Sequence, residues 1–170
     1  SRARFTEHES VSQGSLLIDG SEGASVQLAK CCKPIPGDSI MGYLGRGEGL
    51  VVHTDSCAVG QRLLHKDRER FIGVEWSDEL SRSFETAITV TVVNGQGVLA
   101  RVAGAMASAE TDIVHVDMGQ ESPQDTAELK FVITVRDTSH LDSVLRNLRR
   151  TPSVVQAHRV TSPATTGRHH

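Results

Sequence analysis

A chain of 170 residues that is 38% hydrophobic but only 4% aromatic can bury a core, and that core has to be built of Val, Ile, Leu and Ala rather than of rings. This is the size of one large domain or two small ones. Eighteen basic against 21 acidic side chains leave a formal charge of −3, which argues against coating of nucleic acid by bulk positive charge and leaves only a local basic patch. No stretch approaches the roughly 20 apolar residues of a membrane helix, and the opening SRARFTEHES lacks the apolar core of a signal peptide. A soluble, cytoplasmic chain with no membrane partner is therefore expected. Its three cysteines, two of them vicinal at Cys31 and Cys32, suit a reducing compartment, metal binding or plain burial better than a disulfide framework.

In chain order, residues 1–13 are polar and are expected to be flexible. From 14 to 76 the apolar runs are short and glycines are dense, at Gly37, Gly42, Gly45, Gly47 and Gly49. That is the grammar of small strands joined by tight turns, and it predicts a small β-rich α+β domain. Residues 77–83 carry charge without an apolar period and read as a linker. A second unit occupies 84–160. Ile88, Val90 and Val92 alternate with Thr89 and Thr91 in a half-buried strand. After Asn94-Gly95-Gln96-Gly97 the period becomes helical, with Val98, Leu99, Val102, Ala103 and Met106 predicting a helix to about Ser108. Ile113, Val114, Val116 and Met118 make a strand with apolar residues on both faces. Ser122 to Asp125 is a turn, and the alternating run from Ala127 through Leu129, Phe131 and Ile133 to Val135 forms a hairpin with that strand. Leu141, Val144, Leu145 and Leu148 stripe a second helix, with Thr138 or Ser139 as its cap and Pro152 past its end. Val154, Val155 and Val160 supply the last strand, and 161–170 are again expected to be flexible. The order β-α-β-β-α-β is the split, ferredoxin-like pattern of an antiparallel sheet with two helices on one face.

This order, with Asn94-Gly95-Gln96-Gly97-Val98-Leu99-Ala100 joining the first strand to the first helix, resembles an ACT domain, a small regulatory module that typically binds amino acids. Ala29-Lys30-Cys31-Cys32-Lys33-Pro34-Ile35-Pro36-Gly37-Asp38, followed by Gly49 to His53 and by Cys57, resembles the double-cysteine, zinc-finger-like RIS domain that precedes an ACT domain in RelA/SpoT-type ppGpp synthetase/hydrolases. Together the two resemblances cover about residues 14 to 160. They imply a regulatory C-terminal region of a stringent-response enzyme. Such a region reports a signal to catalytic domains lying N-terminal in the parent protein, forms a homodimer through its ACT half, and in some members contacts the ribosome and its RNA. The sequence has no phosphate loop ending in Lys-Ser/Thr, and Gly42, Gly45, Gly47 and Gly49 are better explained by turns. The chain itself is expected to be non-catalytic. The alternative is an RNA- or ribosome-binding module with a structural zinc.

Three groups of residues carry candidate chemistry. His53 and Cys57 stand four apart at a strand end and a helix start, and Cys31 and Cys32 follow a strand whose expected partner is Leu50 to His53. Four N/S donors satisfy tetrahedral zinc, provided that the backbone bends at the vicinal pair, because neighbours in a strand point to opposite faces. Pro34 and Pro36 suggest that bend. Burial as small hydrophobes, or a Cys nucleophile with His53 as base, are the alternatives. In the second unit, Gly95 and Gly97 allow positive φ beside the start of a helix, where a carboxylate is favoured. A branched-chain amino acid bound there would meet Asn94 through its amino group and Val98 and Leu99 through its side chain. Finally, Arg62, His65, Lys66, Arg68 and Arg70, with Arg46 nearby, form a basic cluster able to track phosphates, although Asp67 and Glu69 interleave with it.

Overall fold

The computed structural model describes residues 15–121 and 125–160. The two ends expected to be flexible, and Ser122 to Gln124 of the expected turn, lie outside the described residues. The described chain divides into two compact units, one of residues 15–34 and 38–82, the other of 35–37 and 83–160. No described helix is long and apolar enough to cross a membrane.

The first unit is built of strands too short to show a period. Its elements are β1 (Leu16–Ile18), β2 (Val26–Leu28), β3 (Ile40–Leu44), β4 (Leu50–Thr54), α1 (Ala58–Lys66), β5 (Phe71–Ile72) and β6 (Val74–Trp76). One sheet runs β2-β4-β3-β5, and β1 and β6 pair separately in parallel. β3 returns into β4 through a glycine turn closed by Gly45 N–H to Gly49 O at 2.9 Å. Gly49 has φ +76°, and a Cβ there would lie 2.6 Å from Ser25 O, so no other residue fits. β4 is buried along its whole length, as a strand covered on both faces has to be. Its alternation sorts the interior into two compartments. Leu50 and Val52 turn toward Ile18 and Val74. Val51 turns the other way, toward Ala29, Cys31, Cys32, Cys57 and Val59, and by the same period so does His53.

The second unit comprises β7 (Phe84–Val93), α2 (Val98–Ser108), β8 (Ile113–Glu121), β9 (Thr126–Val135), α3 (Thr138–Arg149) and β10 (Val154–Arg159). The sheet order is β10-β7-β9-β8 with every neighbour antiparallel, which is the ferredoxin-like pattern expected. The central ladder runs from Phe84 opposite Val135 to Val93 opposite Thr126. It puts Ile88 beside Phe131 and Val90 beside Leu129, and these bury with Val102 and Met106 of α2 and with Leu141, Val144 and Leu148 of α3. Two polar ties fasten α3. Asn147 Nδ2 donates to Ala105 O at 2.8 Å. His140 Nδ1 accepts the Arg136 N–H at 3.0 Å, so its proton sits on Nε2 and is donated to Ala109 O at 2.8 Å.

One expectation needs correction here. The cap of α3 is Asp137, whose carboxylate accepts the His140 N–H at 2.8 Å, and Thr138 and Ser139 lie inside the first turn. The residue before the helix is extended there, and a carboxylate caps as well as a hydroxyl while also facing the positive helix end. The strand Ile113–Glu121 forms as expected, but Ile113, Val114, Val116 and Met118 stay 37–59% exposed because β8 is the sheet's edge.

Candidate functional site

The structure brings Cys31, Cys32, His53 and Cys57 together. β2 runs parallel to β4, and Ala29 N–H extends that ladder to Val52 O at 2.8 Å. The chain then makes a single helical turn closed by Lys33 N–H to Ala29 O at 2.9 Å, with Lys33 at φ +45°. This turn swings both vicinal cysteines to one side, so the bend precedes Pro34 and Pro36 rather than being made by them. His53 arrives from β4, and Cys57 is the N-cap of α1. Cys31 Sγ lies 3.5 Å from His53 Nδ1 and 3.5 Å from Cys57 Sγ, and Cys32 Sγ lies 3.9 Å from His53 Nδ1. All four donor atoms fall within 4.8 Å of one another. A tetrahedral zinc with bonds of about 2.3 Å to sulfur and about 2.0 Å to nitrogen needs its donors about 3.8 Å apart for S···S and about 3.5 Å for S···N. The residues present fit that ion.

The surroundings favour negative sulfur. Gly60 N–H points at Cys57 Sγ from 3.4 Å and Thr54 N–H at Cys32 Sγ from 3.3 Å. Hydrogen bonds from Cys31 and then Cys32 pull the Cys57 thiol far below its ordinary range, against the opposing effect of burial. Cys31 is pushed far up by its hydrogen bonds to Cys32 and Cys57 and by burial. For Cys32 the largest influence, the Cys31 hydrogen bond, lowers it, but the Cys57 hydrogen bond and burial prevail and push it up to about 11. One sulfur is favoured as thiolate at the expense of its two neighbours, because three closely packed thiols share hydrogen bonds and compete for the same protons. A thiol nucleophile needs an open face, whereas Cys31, Cys32 and Cys57 are 6, 3 and 0% exposed. Sequence reasoning missed Gly60. A Cβ there would lie 3.0 Å from His53 Cβ and 2.8 Å from Met41 Cε, so glycine is what lets α1 approach the imidazole. A glycine three residues after a capping cysteine was the available signal.

The loop Asn94 to Leu99 is placed differently. Gly97 is the left-handed N-cap of α2 at φ +76°, but Gly95 is not among the positive-φ residues, and a Cβ on it would meet only Val98 Cγ2 at 3.6 Å. Val98 turns into the core and Leu99 outward at 40% exposure, so the two do not form one apolar wall. Asn94 uses its backbone N–H on Asp125 O at 2.9 Å. Arg101 was missed by sequence reasoning. It follows Gly97 by one turn, with Nη1 3.6 Å from where a Gly97 Cβ would be and Nη2 donating to Ser153 Oγ at 3.1 Å. Of the third group, Arg62, His65 and Lys66 lie on α1 and line an open groove of about 500 Å³ with Val59 and Leu63, whereas Arg68 and Arg70 follow in a short 3-10 turn and Arg46 lies between β3 and β4. Arg70 leaves that face, donating to Leu44 O at 2.7 Å with its guanidinium 5.9 Å from the Tyr43 ring centroid.

Comparison with known proteins agrees with this division. Residues 16–77 match the RelA/SpoT RIS domain and residues 80–159 match an ACT domain. The chain is 36% identical over 149 residues to the bifunctional (p)ppGpp synthase/hydrolase SpoT of Escherichia coli (strain K12), covering 87% of this chain and 21% of that protein. It is 34% identical over 163 residues to the bifunctional (p)ppGpp synthase/hydrolase RelA of Mycobacterium tuberculosis, covering 96% of this chain and 21% of that one. Over 162 residues it is 32% identical to a GTP pyrophosphokinase of Streptomyces coelicolor, covering 95% and 19%. The chain thus spans about one fifth of the length of the curated relatives it matches, and their catalytic domains lie outside the matched segment. These residues are a RIS domain followed by an ACT domain, the C-terminal regulatory region of the RelA/SpoT type.

Proposed function

We propose that the chain is the regulatory segment of a bifunctional (p)ppGpp synthetase/hydrolase, with a metal-braced RIS unit and an ACT unit that dimerises and receives an amino acid, both acting on the catalytic domains of the parent protein in the cytosol. The observation that carries this reading is the convergence of four N/S donors, drawn from a turn, a strand and a helix cap, in the domain preceding an ACT unit. Zinc held there would supply a structural cross-link rather than chemistry on a substrate. Cys31 and Cys32 hold the turn after β2, His53 offers its imidazole from β4, and Cys57 fixes the start of α1. Protein purified without chelator is expected to carry about one zinc per chain, and His53→Ala to remove it. Elemental analysis well below stoichiometric in reducing buffer sinks the metal reading.

For the ACT unit, the support for dimerisation is the edge strand β8 with Ile113, Val114, Val116 and Met118 exposed, since an unpaired apolar edge favours pairing with a second copy. Light scattering that gives a monomer at high micromolar concentration overturns it. For the amino acid, the support is the left-handed Gly97 at the start of α2 with Arg101 beside it and Leu99 exposed. The ligand's carboxylate would face the helix end and its branched side chain Leu99. Calorimetry without heat for valine, isoleucine and leucine at millimolar concentration removes this role. The groove of α1 with Arg62, His65 and Lys66 favours a second reading, contact with ribosomal RNA. It requires an affinity that falls steeply with salt, and an Arg62→Glu/Lys66→Glu variant that binds rRNA unchanged excludes it.

A further inference from the structure

We propose that Cys31 and Cys57 are a thiol pair that closes to an intramolecular disulfide when a hydroperoxide meets the metal-free cluster, making the tetrad an oxidation-sensitive modification site. The two sulfurs already lie 3.5 Å apart, and a disulfide needs about 2 Å, so a modest side-chain rotation closes the gap. The choice of pair follows from the surroundings. Cys32 Sγ is turned to the Thr54 N–H at 3.3 Å, and a bridge from it to its own neighbour Cys31 is a strained ring. Cys57 sits at the N-cap of α1 with the Gly60 N–H on its sulfur, where backbone donors and the helix dipole favour an electron-rich, nucleophilic sulfur. Cys31 rides on the turn held by the Lys33 N–H to Ala29 O bond, with a non-glycine residue in the left-handed region. Opening that one hydrogen bond would release Cys31 without breaking the β2–β4 ladder.

The chemistry balances with one hydroperoxide. Cys57 Sγ takes the terminal peroxide oxygen and the O–O bond breaks. The leaving oxygen departs as water or alcohol with the thiol proton, which leaves a sulfenic acid. Cys31 Sγ then attacks that sulfur, the S–S bond forms, the S–O bond breaks, and the hydroxyl leaves as water with the Cys31 proton. Two electrons pass from the two sulfurs to the peroxide. At 0–6% exposure the cysteines are shielded in the closed structure, so oxidation runs through opening of the turn. Zinc bound by the same sulfurs shields them further. Only this last point rests on the metal reading.

The full chain, stripped of metal, is treated with hydrogen peroxide. The expected product has lost two hydrogens in mass, retains one of its three thiols, is restored by dithiothreitol, and gives fragment spectra joining Cys31 to Cys57. Cys32→Ser keeps the cross-link, and Cys31→Ser and Cys57→Ser lose it. If a variant fails to fold, the wild-type fragment spectra decide. A bridge through Cys32, sulfinic acid without a bridge, or a disulfide between two chains overturns the proposal. Zinc-loaded protein is expected to form the bridge about tenfold more slowly. Equal rates with zinc bound overturn the shielding. A chain that binds no zinc yet forms the bridge sinks the metal reading and leaves this one standing.

Discussion

The two units reach a buried core by different routes. The ACT unit is a periodic solution: ten-residue strands β7 and β9 in unbroken register, two amphipathic helices, and an interior of Ile88, Val90, Leu129, Phe131, Val102 and Leu148 without a special group. In the RIS unit the strands are two to five residues long, and one of its two apolar clusters contains three thiols, with an imidazole beside them. A chain with long strands is held by summed apolar area. Short strands leave less area per element, and specific side-chain chemistry has to supply what periodicity does not.

The largest effect expected from breaking this contrast is loss of the donor set. Structural zinc contributes on the order of 10 kcal/mol to small metal-held folds. A chelator or His53→Ala should therefore strip amide protection from β4 and α1 while costing β7 and β9 far less. Hydrogen exchange read by mass spectrometry checks this, and uniform loss across both units refutes it. Next comes Phe131→Ala, at a residue 1% exposed. It should cost about 3 to 5 kcal/mol in denaturant unfolding of the ACT unit and leave metal stoichiometry unchanged. A smaller test concerns the cap of α3. Asp137→Ala should lower stability by about 1 kcal/mol, whereas Thr138→Ala and Ser139→Ala should stay within a few tenths; the reverse order would return the cap to the hydroxyls. The smallest effect has the opposite sign. Thr86 Oγ1 is buried with no hydrogen-bond partner among the described residues, so Thr86→Val, which keeps the shape, should raise stability by about 1 kcal/mol or less, read as a higher denaturation midpoint. A lowered midpoint would reveal a partner.

The same contrast explains what could be read from the amino acids alone. Val98 to Ser108 is legible as a helix because apolar residues recur at its period, and the Ala127 to Val135 strand because its alternation is unbroken. The Cys31, Cys32, His53 and Cys57 positions were legible as donor types at suitable spacing, and so was the pairing of the strand before Cys31 with Leu50 to His53, which β2 and β4 realise. The bend was not legible, since nothing in the identity of Lys33 announces a left-handed backbone. The parallel pairing of β1 with β6 joins three-residue strands far apart in sequence, too short to carry a period. Val98 and Leu99 share an apolar character but face opposite environments, a distinction visible only once the helix is docked. The exposure of β8 follows from strand order, which periodicity does not encode.

The alternation of β4 has a consequence for how the chain finds its fold. His53 and Val52 are neighbours with opposite compartments, the imidazole on the thiol side and the valine among Ile18, Leu50 and Val74. A slip of β4 by one residue against β3 exchanges them, burying an imidazole in hydrocarbon and leaving Cys31, Cys32 and Cys57 facing a methyl group. Only the correct register completes the four-donor set. The tetrad therefore penalises the wrong register in a sheet whose short strands specify it weakly, because a slipped chain scatters the four donor atoms that the native pairing gathers.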